Sequence, residues 1–124
     1  MYIIKIFDKN NKQKYKIDCV EIAETFKGRL TGLMFKEEFT AMLFKQKYSD
    51  RLSGSIHTCF MKVPIDIIYI NTKLEIQEIA TLDVWKLYIP KKCNIQYIIE
   101  LPQKTCLEQD IKVGDKAVIE NEKT

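Results

Sequence analysis

"HTCFMKVPIDIIYIN" (57–71) is the stretch on which the fold turns. Its second half, "IDIIYIN" (65–71), is β-branched and aromatic, and it is apolar at neighbouring positions rather than alternating. A short run of that kind reads as a strand covered on both faces. Ile67, Ile68 and Ile70 are therefore expected to be buried. Pro64 lacks a ladder donor and marks an edge, bulge or break between this strand and "SIHTCFM" (55–61). The two segments are expected to be neighbouring central strands. Asp66 is then out of place. A carboxylate at the head of a buried run must be paired, hydrogen-bonded or protonated.

Reading outward, "MYIIKIF" and "YKIDCV" flank the turn residues "DKNNKQ", which predicts an N-terminal hairpin. In "ETFKGRLTGLMF", Phe26, Leu30, Leu33 and Met34 fall on one helical stripe. Gly28 and Gly32 limit that segment to a short helix over about 25–31. "AMLFK" (41–45) reads as a short strand and "QKYSDRLSG" (46–54) as a polar loop. "EIQEIATLDVW" (75–85) reads as a long strand with a bulge, because its alternation is imperfect. "KLYIPKKCN" (86–94) reads as a loop, and "IQYIIEL" (95–101) as a strand stopped by Pro102. "TCLE" (105–108) has the Thr-x-x-Glu capping-box pattern of one helical turn. "VGDKAVIE" (113–120) is a glycine turn into a last strand. Many short strands with one or two short helices predict a mainly β fold, a compact sandwich or barrel.

The 124 residues are read as a single domain over 1–124, long enough to bury roughly two-thirds of the unfolded surface. Lysine and arginine total 20 against 17 acidic residues, a net charge of +3. The sequence pI of 8.6 lies below the range above about 9 usual for nucleic-acid binders. The lysine-rich "KNNKQKYK" (9–16), with Tyr15 inside it, is the one candidate nucleic-acid contact, and nucleic acid is not the expected partner. Cys19, Cys59, Cys93 and Cys106 form no C-x-x-C pair, so no metal site is expected and no cofactor is implied. The N-terminus lacks the pattern of a signal peptide, and no apolar run reaches the ~18 residues of a membrane span. A cytoplasmic chain with reduced thiols and no membrane partner is the expectation.

"AETFKGRLTGLMF", "AMLFK", "HTCFMKVPIDIIYIN", "IIELP" and "IKVGDKAVIE" stand in the order seen in the domain of unknown function 192 family. The chain resembles that family over about residues 20–120. The most specific pieces are Arg-x-x-Gly-Leu-Met at 29–34 and Phe-Met…Pro-Ile-Asp at 60–66. The resemblance implies a β-sandwich or barrel of jelly-roll type, and it implies no particular activity. The motif positions include Arg29, Gly32, Met34, Met61, Pro64, Asp66, Glu100, Pro102, Gly114 and Asp115. This chain departs at Ala41, where the family usually has glycine, and at Phe60, where it often has tryptophan. It departs again at Gln103-Lys104, where a small residue and a glycine are common. A turn needing positive φ there is resisted by both side chains.

Four residues are candidates for the polar part of a ligand pocket or for structural pairs: Arg29, His57, Asp66 and Glu100. Arg29 is the expected partner of Asp66, since its planar fork suits a carboxylate. Glu100 lies opposite the Tyr97–Ile99 face and reads as solvent-facing. Met34, Cys59 and Met61 are candidate apolar pocket-lining residues. His57 and Cys59 share a strand face, yet i and i+2 Cα atoms lie roughly 6.5–7 Å apart, too far for an easy direct hydrogen bond. Cys59 is expected to be buried and unreactive, and no catalytic residue is assigned. Trp85 is expected to lie as a lid over the core. The leading expectation is a non-enzymatic module that binds a small molecule or a protein. The alternatives are a small hydrolytic enzyme using His57, Asp66 and Cys59 in an interior cleft, and nucleic-acid binding through 9–16.

Overall fold

The computed structural model describes residues 2–23, 41–46, 51–58 and 63–121, with the backbone alone over 18–23. The expected helix over 25–31, Arg29, Met34, Cys59 and Met61 lie outside the described residues. The strands are β1 (Tyr2–Phe7), β2 (Gln13–Ala23), β3 (Met42–Lys45), β4 (Ile56–His57) and β5 (Ile65–Asn71). They continue with β6 (Ile76–Leu82), β7 (Leu87–Tyr88), β8 (Ile95–Pro102) and β9 (Lys116–Asn121). One helical turn, α1 (Thr105–Glu108), lies between β8 and β9.

Seven strands form one sheet in the order β6-β5-β8-β3-β2-β1-β9, and β4 pairs with β7 in a separate ribbon. The fold is mainly β and sandwich-like, as expected. The main sheet curls until its outer strands approach. Glu75 bridges Lys116, and the Ala117 amide donates to the Leu74 carbonyl at 2.9 Å. The sheet does not close into a barrel.

β5 is an interior strand of the sheet, second from its β6 edge, with β6 on one side and β8 on the other. Both of its ladder edges are thereby taken. The expectation that 55–61 lies beside 66–71 is therefore corrected: β4 joins β7, through Ile56↔Tyr88 and His57↔Leu87. Ile67, Ile68 and Ile70 are fully buried, as expected. Ile68 and Ile70 belong to one apolar cluster with Ile4, Ile6, Leu43 and Ile99. Ile65, Ile67 and Tyr69 belong to the other, with Phe44, Ile98 and Ile56 of the ribbon. Packing on both faces is the physical reason that "IDIIYI" does not alternate.

The expected bulge in 75–85 falls at Gln77, since Tyr69 pairs with Glu78 and Ile70 with Ile76. That strand is shorter than the reading, ending at Leu82, and "KLYIPKKCN" contains the short strand β7 rather than only a loop. Lys104 takes φ +74 despite its side chain, and it precedes α1 without a side-chain cap bond. Thr105 does not cap either, because its hydroxyl donates back to the Pro102 carbonyl at 2.6 Å. The predicted capping box is thus absent. The other end of α1 closes as a Schellman motif: the Ile111 amide donates to the Cys106 carbonyl and Asp110 to Leu107, with Asp110 at φ +55.

Candidate functional site

Asp66 is 2% exposed, and its neighbours Ile65 and Ile67 are turned to the opposite face of β5. Its Oδ1 accepts the Thr81 hydroxyl at 2.8 Å, from the paired residue of β6. Its Oδ2 accepts the Cys106 amide at 3.0 Å. A carboxylate from β5 therefore satisfies an orphan donor in the first turn of α1, the task that neither Lys104 nor Thr105 performs. Burial, and then the adjacent Asp66 carboxylate, push the Cys106 thiol up to about 12.

Above Asp66 opens a pocket of about 430 Å³. Thr81, Gln103 and Lys104 line one part of its wall, and Leu107, Asp110, Ile111 and Lys112 another. Lys112 Nζ lies 3.2 Å from Asp110 Oδ1 in an exposed ion pair. The pocket thus offers a recessed acceptor, the Lys104 ammonium, the Asp110–Lys112 ion pair and an apolar wall. Cys106 supplies no nucleophile near neutral pH, because the thiolate is the reactive form. We expect a thiol reagent applied to the folded chain near pH 7 to modify exposed Cys93 well before buried Cys106. Site-resolved mass spectrometry reads the order, and prompt labelling of Cys106 would contradict it.

Two further buried carboxylates tie loops to the sheet. Glu78 accepts the Tyr88 hydroxyl and the Lys91 amide at 2.9 Å. Burial, and then that bond to Glu78, push the Tyr88 phenol up to about 12. Asp115 accepts the Lys112 amide at 2.8 Å and Lys14 Nζ at 2.9 Å. The lysine-rich turn expected as a nucleic-acid contact therefore has Lys14 engaged in an internal ion pair. The hydrogen bond that Lys14 donates to Asp115 raises the Lys14 pKa above 10.5. Stability from this pair is fully present below that ordinary value and is lost as pH rises through the raised one. Urea midpoints of the wild type and Asp115→Asn are expected to differ at neutral pH and to converge in the alkaline range. A constant gap would contradict the assignment.

The remaining sequence candidates separate in space. His57 is exposed on β4 and does not line the pocket that Asp66 floors. Glu100 is 5% exposed and has interactions of its own, so the solvent-facing reading is corrected. Its face of β8 packs with Met42 and Ile67, the residues it pairs with. Trp85 is 58% exposed and is no lid. Sequence reasoning missed Thr81, Lys104, Cys106 and Lys112 as pocket residues. They are distant in sequence from Asp66, and only β-pairing and the α1 turn bring them to it. Among the described residues, no group of three or more histidine, cysteine, aspartate or glutamate side chains stands where it would hold a metal ion. No helix among them is long and apolar enough to cross a membrane.

A family model for domain of unknown function 192, described as "Uncharacterized ACR", matches residues 6–119. A UPF0127 protein of Pyrococcus horikoshii is 39% identical over 99 residues, covering 78% of this chain and 84% of that protein. Its counterpart in Pyrococcus furiosus is 32% identical over 97 residues, covering 78% and 83%. Among solved structures, a Sinorhizobium meliloti 1021 protein described as a candidate transcription regulator superposes with a TM-score of 0.83. It is 18% identical, and the match covers 94% of this chain and 92% of that one. A protein of unknown function from Novosphingobium aromaticivorans superposes at 0.79 and 19% identity, covering 94% and 83%. At these identities the structural likeness carries the fold alone.

Proposed function

This chain belongs to the domain of unknown function 192 family, and from that premise we propose that it is a small β-domain whose Asp66 pocket binds a small polar molecule. We read it further as one cytoplasmic domain with jelly-roll connectivity. The observation that carries the reading is the buried carboxylate under an open cavity of about 430 Å³. That volume lies within the roughly 300–1,000 Å³ usual for small-molecule sites. Asp66 accepts two donors and retains further lone pairs for a ligand hydroxyl or amine. Leu107 and Ile111 give an apolar side to such a molecule, and Lys104 stands where an anionic group would be met. Binding is favoured over catalysis because, among the described residues, a nucleophile, base and orienting group do not converge in the pocket. His57 lies outside it, and the Cys106 thiol stays protonated.

The test is a titration of isotope-labelled full-length chain with a library of small polar fragments, followed through the amide resonances. The expected result is that binding fragments shift Thr81, Lys104, Cys106 and Ile111 together. Fragments that bind only elsewhere, or a library without any binder, would overturn the reading.

A further inference from the structure

The two-stranded ribbon carries a surface that the pocket does not use. Trp85 is 58% exposed, Leu87 64%, Ile89 41%, and Leu52, in the turn before β4, 73%. These are four of the seven large exposed hydrophobic residues among those described. His57 and Leu87 are direct cross-strand partners and both are exposed, so they share the outward side of the ribbon. Ile89 lies two positions after Leu87, just past the end of β7.

The exposure is held in place by the fold. Thr58 is fully buried; its amide donates to the Lys86 carbonyl at 2.8 Å, and its carbonyl accepts the Trp85 amide at 3.0 Å. Its hydroxyl accepts the Lys86 amide at 2.8 Å. Arg51 Nε donates to the Pro90 carbonyl at 2.8 Å, and Glu78 takes the Lys91 amide at 2.9 Å. Trp85 sits at φ +58, a strained conformation for a bulky residue. A backbone pinned at so many points does not let these side chains fold back over the core. Large apolar side chains exposed together on the ribbon and its adjoining turns mark an interaction surface.

The rim decides the partner. Arg51, Lys86, Lys91 and Lys92 are exposed in the same segments as the apolar residues, with Asp83 as the acidic residue of those described segments. We propose that this face docks an extended acidic peptide segment of another protein. Apolar side chains of the segment would rest on Trp85, Leu87 and Ile89, and its carboxylates would meet the lysines. The two-residue spacing of Leu87 and Ile89 matches the alternation of an extended chain. A second copy is disfavoured, because a two-fold contact would set this basic rim against itself. A lipid surface is the alternative that the vesicle arm of the test below excludes.

Trp85 is the only tryptophan in the chain, so its emission reports the surface directly. The probes are a synthetic peptide alternating leucine with glutamate, its lysine counterpart, and vesicles of phosphatidylcholine with phosphatidylserine. The expected result is a saturable blue shift with the glutamate peptide only, weakening about tenfold or more between about 0.05 M and 0.5 M salt. Leu87→Ser is expected to lower that affinity at least about tenfold, the effect of losing one well-buried anchor. Leu87 is exposed in the free chain, so the variant should retain the wild-type urea midpoint. Absence of a shift with the glutamate peptide would overturn the proposal. So would an equal response to the lysine peptide, a shift driven by vesicles, or self-association of the chain alone in sedimentation.

Discussion

Replacing Tyr69 by alanine is expected to destabilise the chain by about 3–5 kcal/mol, as for other large aromatic residues removed from a core. Its side chain is fully buried on β5, and its ring centroid lies 6.0 Å from that of Tyr88 at a tilt of 30°. The Tyr69 hydroxyl donates to the Gly54 carbonyl at 2.8 Å. This residue therefore fastens the ribbon to the central sheet by packing and by one buried hydrogen bond. Tyr69→Phe separates the two contributions. It keeps the ring, strands the Gly54 carbonyl, and is expected to cost about 1–3 kcal/mol. A phenylalanine variant as stable as the wild type in urea would show that the carbonyl finds another donor.

The contact is close because residue 54 is glycine. A Cβ there would stand 2.7 Å from Ile95 Cδ1 and 3.2 Å from Pro90 Cγ. A side chain at that point would require the buried Ile95 Cδ1 to give way.

Asp66→Ala is the second large effect, expected at about 2–4 kcal/mol. Thr81 is exposed and its hydroxyl can turn to water, but the Cys106 amide is buried behind it and is left without an acceptor. The first turn of α1 should loosen, so amide exchange at Cys106 should quicken and its thiol should become open to labelling. Asp66→Asn keeps one acceptor oxygen and is expected to cost less. Unchanged Cys106 exchange in Asp66→Ala would show that the carboxylate does not hold the turn. The sequence expectation that Arg29 pairs with Asp66 lies outside the described residues. Its measurement is a double-mutant cycle of Arg29→Met with Asp66→Asn. A buried pair should lose about 3–5 kcal/mol when one partner is removed, and an exposed pair less than about 1 kcal/mol.

What the sequence determined by itself was local in origin. The turn residues 8–13, the apolar run 65–71 and the alternation in 95–101 each specify a strand or hairpin through backbone propensity and side-chain period. The same reasoning singled out Asp66, because a carboxylate inside an apolar run is conspicuous in one dimension. Tertiary structure decided the rest, through contacts that no local pattern encodes. Phe44 and Ile98 belong together only because β3 lies beside β8. β2 and β3 run parallel in register Glu21↔Met42, and local alternation does not specify the direction of a partner strand. "LY" at 87–88 became a strand because "IH" at 56–57 was available to pair with it. Glu100 became buried because both faces of β8 are covered. Trp85, apolar by composition, was left at the surface because the turn between β6 and β7 forces its backbone to φ +58. The pocket itself rests on Asp66 accepting from Cys106, 40 residues away, a contact fixed by sheet order rather than by residue type.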